Sequence, residues 1–202
     1  MHEVNQARAM VYNLLSSLFA WEVSEQRLKE LTSNSAQQFW VSLAENPDFA
    51  PEVNNLLARL MQITNEHQRL ELAADFCSLF LIGGKNNSSP YASLFLSDET
   101  EPTLYGELHQ KMSEFLKQSG LQIQSDFKEP ADHLAIMLAY MAHLCTHSSD
   151  EAQQTYLQTC INSWLPLFAN RVFENDNSNH SGHFYSHLVK LTQKWVDSDL
   201  MD

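Results

Sequence analysis

Two carboxylates and an imidazole, from Glu129, Asp132 and His133, stand close together in the run Glu129-Pro130-Ala131-Asp132-His133. Such groups serve acid–base catalysis and metal binding, and a carboxylate beside an apolar surface also suits recognition of a basic partner. Asp132 and His133 form no dyad by adjacency, because consecutive residues on a helix point to different faces. Directly after them comes LAIMLAYMAHL, residues 134–144, where His143 is the single side chain that water would claim. The five residues therefore read as the mouth of something buried. Pro130 suits a first helical turn and Asp132 the positive end of a helix, so an ordinary helix cap and a functional site are both open readings.

Other clusters carry less chemistry. His180, His183 and His187 have a spacing that suits a metal, but they open in the polar stretch NDNSNHSGH and no carboxylate or cysteine sits at helical spacing to close the set, so a solvated helix start is the better reading. His143 and His147, one turn apart, also read as metal donors or, more plainly, as one core and one exposed histidine. Lys85 follows Gly83-Gly84, yet Leu79 stands where a phosphate loop needs glycine and Asn86 where it needs Ser or Thr, leaving a helix stop and a turn. No G-x-S-x-G or Cys-His signature supplies a nucleophile. Cys77, Cys145 and Cys160 are too far apart for a C-x-x-C pair and read as small core residues in a reducing compartment. The stretch after the apolar run 70–82 carries Pro90, Tyr91, Leu94 and Phe95 among polar neighbours, and aromatics in a loop either pack on the domain or receive a ligand.

The elements that must position these residues are helices. Val53, Leu56, Leu57, Leu60 and Met61 repeat the helical spacing, as do Leu104, Tyr105, Leu108, Met112, Phe115 and Leu116, and again Leu157, Ile161, Trp164, Leu165 and Phe168, then Tyr185, Leu188, Thr192 and Trp195. No alternating strand pattern appears, and the few Gly and Pro fall where helices should stop. The expected fold is all-α, a bundle of about eight to ten helices. The aperiodic stretches 83–99 and 120–130 divide it, and the second is the expected boundary: an N-terminal helical group over 1–125, a hinge over 126–133 and a C-terminal group over 134–202.

The 202 residues, 44% hydrophobic, suffice for a real core. A net charge of −13 repels phosphate backbones, which argues against nucleic acid, and attracts basic peptides. The apolar N-terminal stretch has one helical face, at Ala7, Met10, Val11, Leu14, Leu15 and Leu18, and lacks a basic start and a cleavage site. Residues 134–144 are only 11 against the roughly 20 that a membrane span requires. A cytoplasmic protein is expected.

Three segments together, LELAADFCSLFLI from Leu70, PYASLFLSDE from Pro90 and EPADHLAIMLAYMAHL from Glu129, resemble the TorD/DmsD family of cytoplasmic maturation chaperones for molybdenum-containing oxidoreductases. The likeness covers nearly the whole chain in length and motif order, and is closest to members dedicated to trimethylamine N-oxide reductase. It implies an all-helical fold peculiar to the family and no enzymatic turnover. It also implies binding of the apo client and its twin-arginine signal peptide, with export held back until the molybdenum cofactor is inserted. The binding positions it implies are Phe76, Leu79, Phe80, Pro90, Tyr91, Phe95, Asp132 and His133, with Glu129 from the same motif. Some relatives carry Trp where this chain has Tyr91 and Phe95, which bears on the client rather than on the function.

Physically, a twin-arginine leader joins a basic pair to an apolar segment, so its receptor needs carboxylates beside an apolar groove. Glu129 or Asp132 can supply the planar partner that Arg prefers, and Phe76, Phe80, Tyr91 and Phe95 the groove. The resemblance further implies guanine nucleotide as a candidate ligand, and a monomer that also forms a domain-swapped homodimer through the hinge. A small metal-dependent enzyme using His180, His183 and His187 or Asp132 and His133 is the alternative class, for which a stoichiometric metal would speak. A nucleotide-regulated binding protein is another.

Overall fold

The structure is a computed structural model that describes residues 2–82, 88–97, 103–177 and 182–201. Those residues form eleven α-helices and no strand: α1 (His2–Ala20), α2 (Glu25–Leu31), α3 (Asn34–Leu43), α4 (Ala50–Gln62), α5 (Glu66–Phe76), α6 (Ser93–Leu96), α7 (Glu107–Gln118), α8 (Leu134–His147), α9 (Asp150–Tyr156), α10 (Leu165–Asn175) and α11 (Phe184–Met201). The all-α expectation holds. More helices form than the expected eight to ten, because apolar patterns that look continuous in sequence are broken.

Two breaks are π-helical turns, Cys77–Leu81 after α5 and Leu157–Ile161 after α9. Ile82 N–H donates to Cys77 O at 2.9 Å and Asn162 N–H to Leu157 O at 2.8 Å, each spanning five residues. Such a turn rotates the following side chains by one extra residue. The pattern from Leu157 to Phe168 therefore spreads over a π turn, the residues 162–164 and α10. Leu104 and Tyr105 lie before α7, not within it, and Tyr105 has φ 68°.

Helix ends follow local chemistry. Ser24, Ser33, Asn65 and Ser149 each accept at the side-chain oxygen from the backbone N–H three residues on, satisfying an orphan donor of α2, α3, α5 and α9. α7 closes at Gly120, whose φ of 66° suits glycine. There Leu121 N–H donates to Leu116 O and Gly120 N–H to Lys117 O.

The chain divides into two compact units, residues 1–21 with 90–168 and residues 22–89 with 169–202. This division differs from the sequence reading of 1–125, 126–133 and 134–202. The N-terminal helix α1 runs against α8, so the start of the chain belongs with the middle, and residues 126–133 lie inside the first unit.

In the first unit Tyr12, Leu15 and Phe19 of α1 are fully buried, and the Ser16 hydroxyl donates to Ala135 O at 2.7 Å. α9 packs on α8, where the buried Tyr156 hydroxyl donates to Met137 O at 3.0 Å. α8 is buried at Leu134–Leu138, Tyr140–Ala142 and Cys145, which accounts for its nearly unbroken apolar composition: a helix covered on most faces needs no polar stripe.

In the second unit α4 turns Val53, Leu56 and Leu60 inward against α11, whose Leu188, Val189, Thr192 and Val196 are fully buried. Beside them Trp40 Nε1 donates to Leu31 O at 3.1 Å. Glu52 is only 2% exposed, and α11 grips it from one face: His187 Nδ1 lies 2.6 Å from Oε2, and Lys190 and Lys194 Nζ each lie 3.1 Å from Oε1. Burial raises the Glu52 pKa, but hydrogen bonds from these three groups outweigh it and hold the carboxyl below its ordinary value.

Cys145 and Cys160 are buried and Cys77 half-buried, all unpaired to one another. Among the described residues no helix is long and apolar enough to cross a membrane.

Candidate functional site

The aromatic loop and the Glu129–His133 run are joined by their backbones. Tyr91 and His133 form an isolated antiparallel bridge, in which Leu134 N–H donates to Pro90 O at 2.8 Å and Ala92 N–H to Asp132 O at 3.2 Å. Pro90 thus accepts from the first N–H of α8, one of the donors that a helix start leaves without an intrahelical partner. Pro130 lies outside the helix, in a turn closed by His133 N–H on Pro130 O at 3.0 Å. The cap of α8 is His133, whose Nδ1 accepts from Ala135 N–H at 3.1 Å. Neither Pro130 in a first helical turn nor Asp132 at the helix's positive end, as the sequence suggested, describes this corner.

Asp132 is fully buried and faces the loop instead. Its Oδ2 accepts from Ser93 N–H at 2.8 Å and from the Ser93 hydroxyl, while Ser93 Oγ accepts from Gly106 N–H at 2.9 Å. A Cβ on Gly106 would come within 3.1 Å of Ser93 Oγ, so the close approach depends on glycine. His109 completes the corner: its Nδ1 accepts from Ala131 N–H at 3.0 Å and lies 3.6 Å from Asp132 Oδ1. Accepting there places the neutral ring's proton on Nε2. The exposed Tyr105 ring packs edge-on against His109 at 4.9 Å.

His133 is sealed between two rings, Tyr91 at 5.1 Å and Phe127 at 5.2 Å, both edge-on. Burial lowers its pKa to about 3, so it is neutral wherever the protein works. The half-buried Tyr91 donates its hydroxyl to Glu129 Oε2 at 2.6 Å. Burial first, then that hydrogen bond and the charge of Glu129, push the Tyr91 pKa up and keep the phenol a donor. Glu129 is itself half-buried, so part of it reaches solvent. Leu96, three residues after Ser93, and the neighbours Leu104 and Tyr105 are exposed apolar side chains of the same unit.

The site residues read from the sequence thus separate. Pro90, Tyr91, Glu129, Asp132 and His133 are brought together in the first unit. Phe95 belongs to the same unit and is half-buried, stacked on Trp164 at 5.6 Å and edge-on to Phe168 at 5.9 Å. Phe76, Leu79 and Phe80 belong to the second unit and are at most 3% exposed. There Phe76 and Phe80 form a three-ring cluster with Tyr185. They pack in the core, where the π turn that follows α5 has Leu79 and Phe80 buried and Leu81 exposed.

Ser93, Tyr105, Gly106, His109 and Phe127 are the residues that sequence reasoning missed. Ser93 sits within the second motif, and a small hydroxyl between Pro-Tyr and Leu-Phe was the one signal available.

His183 and His187 do not converge: His183 lies 3.3 Å from Asp176 and His187 on Glu52, while His180 falls outside the described residues. Gly83, Gly84 and Lys85 fall outside them too. Among the described residues no group of three or more His, Cys, Asp or Glu has a metal-holding arrangement.

The family model described as nitrate reductase delta subunit matches residues 46–170. A protein named chaperone protein TorD from Shewanella sp. (strain MR-4) is 57% identical over 197 residues, covering 98% of this chain and 94% of its own. Its namesake from Shewanella oneidensis is 55% identical over 201 residues, covering 98% and 90%, and one from Colwellia psychrerythraea is 41% identical over 220, covering 98% and 92%. These likenesses cover nearly the whole chain, and so both units. The relatives are named as chaperones, and the chain is a chaperone rather than an enzyme. It belongs to the TorD/DmsD family of molybdoenzyme maturation chaperones.

Proposed function

We propose that this chain is the dedicated cytoplasmic chaperone of one molybdoenzyme, trimethylamine N-oxide reductase. It binds the apo client and the client's twin-arginine leader, and favours insertion of the molybdenum cofactor before export. The observation that carries the reading is the corner itself: the half-buried Glu129 is fixed by the Tyr91 hydroxyl, in a unit that also exposes Leu96, Leu104 and Tyr105. A basic pair followed by an apolar segment complements that combination. Glu129 takes the arginine, Tyr91 orients Glu129, and the buried Asp132 and His133 act through the position of the loop rather than by touching the peptide. Phe76, Leu79, Phe80 and Phe95 serve by packing. The net charge of −13 speeds encounter with a basic leader, an effect that fades with salt.

The test is calorimetric titration with the leader of the molybdoenzyme encoded beside this chain. Binding that weakens with salt supports the reading, and no binding of that leader contradicts it. We propose a monomer as the ground state, with a domain-swapped homodimer in slow exchange. Residues 126–133 are the proposed hinge, and the bonds to Tyr91, Ser93 and His109 must break before it opens. Light scattering showing one species, unaltered by concentration or incubation, would contradict the exchange.

A further inference from the structure

One nitrogen of His109 has two claimants in the Glu129–His133 run. Its Nδ1 accepts from Ala131 N–H at 3.0 Å and lies 3.6 Å from Asp132 Oδ1. Only the first is served. Asp132 Oδ2 accepts twice from Ser93, whereas Oδ1 is buried and, among the described residues, accepts no hydrogen bond. A buried acceptor without a donor is unfavourable, so an unmade bond stands beside the one that is made.

A neutral imidazole nitrogen with a free lone pair accepts, and the same nitrogen once protonated can only donate. A proton on Nδ1 therefore displaces Ala131 N–H and offers a donor to Asp132 Oδ1. Histidine is the side chain whose charge changes between about pH 5 and pH 8, and the half-buried His109 is open to solvent protons. Among the described residues, the titratable groups that face its ring are the Asp132 carboxyl and the Tyr105 phenol ring, edge-on at 4.9 Å. Glu107 and Lys111 stand two positions away on α7, off its face. α6, which packs on α7, carries no titratable side chain.

We propose that His109 is a positioning residue for Glu129, and that protonation of its Nδ1 undoes the positioning. Neutral, His109 pins Ala131, and Glu129 two residues earlier stands where Tyr91 holds it. Protonated, His109 turns to Asp132, Ala131 N–H is released, and the run that carries Glu129 shifts. The proposal rests on Glu129 as the partner of the leader's arginine. Because that partner is presented by the neutral form, leader and proton compete: affinity falls as pH falls, and binding expels a proton.

The test uses the full chain and has two arms. The first needs no leader: the His109 imidazole and Ala131 amide resonances are followed by NMR from about pH 8 to about pH 5.5. The parent should show one common midpoint. In His109→Asn, whose side-chain carbonyl oxygen replaces Nδ1 as acceptor, the Ala131 amide should no longer move over that range. The second arm is calorimetry with the twin-arginine leader. At about pH 8, His109→Asn should bind like the parent, and His109→Phe, which keeps a ring without an acceptor, about fivefold more weakly. At about pH 5.5 the parent should lose about fivefold in affinity and His109→Asn clearly less, a difference that the shared fall in net negative charge does not produce. An Ala131 amide indifferent to the His109 titration, or a parallel loss of affinity in parent and His109→Asn, would overturn the proposal. A parent that binds no leader contradicts the reading of Glu129 instead, and the Ala131 resonance then decides the behaviour of His109 by itself.

Discussion

The Tyr91 hydroxyl donates to Glu129 Oε2 across 2.6 Å, tying the aromatic loop to a residue 38 positions later. The backbone bridge between Tyr91 and His133 fixes the distance over which that bond forms. A flexible glutamate is thereby held in one place, and the entropy of fixing it is spent before any ligand arrives.

Tyr91→Phe keeps the ring against His133 and removes only the hydroxyl. It should cost about 1 kcal/mol of stability, the net worth of one partly buried hydrogen bond. Leader affinity should fall more than stability would suggest, because Glu129 is released to many rotamers. Urea unfolding beside leader titration checks both, and an affinity equal to the parent's would argue against the positioning role of Tyr91.

Asp132→Ala strips a buried acceptor from the Ser93 N–H and hydroxyl together. A loss of about 2–3 kcal/mol is expected, since both donors stay buried. Ser93→Ala alone should cost less. The double variant should fall short of the sum by about 1 kcal/mol, because the second change removes a group already without its partner. Denaturant midpoints of the four proteins measure the coupling, and strict additivity would mean that the two residues act separately.

The pH dependence of stability has a defined sign at His133. Its folded pKa, about 3, lies below the ordinary 6.5, so the unfolded chain takes up a proton that the native state refuses. The contribution of neutral His133 is complete above about pH 6.5 and declines as pH falls toward 3, by up to about 1.4 kcal/mol per unit. His133→Asn retains an N-cap acceptor for Ala135 N–H and does not titrate. The stability difference between parent and variant should therefore shift by about 2 kcal/mol in the variant's favour between about pH 7 and pH 5. A constant difference would show that His133 is not buried neutral.

Much of this was legible beforehand. The helical period at Val53, Leu56 and Leu60 is a local signal, and it appears as read. Residues 129–133 and the loop at Tyr91 were both marked, but which faces which depends on contacts 38 or more residues apart, and no spacing reports such a pairing. Phe76, Leu79 and Phe80 misled for a different reason. An apolar side chain looks the same in sequence whether it lines a groove or fills a core, and the π turn that carries Leu79 and Phe80 leaves no mark in the hydrophobic pattern. His109 was hidden because its role lies in one backbone hydrogen bond to Ala131.

Calorimetric titration of the parent and Glu129→Gln proteins with the twin-arginine leader and with its twin-lysine version bears most directly on the proposed pairing of Glu129 with the basic pair. With the parent protein, replacing arginine by lysine should weaken binding about tenfold, because the planar bidentate pair is lost. With Glu129→Gln the arginine leader should bind more weakly and the two peptides should become nearly equal. Equal discrimination by both proteins, with arginine still preferred to the same degree, would contradict the assignment of Glu129 as the partner of the leader's arginine.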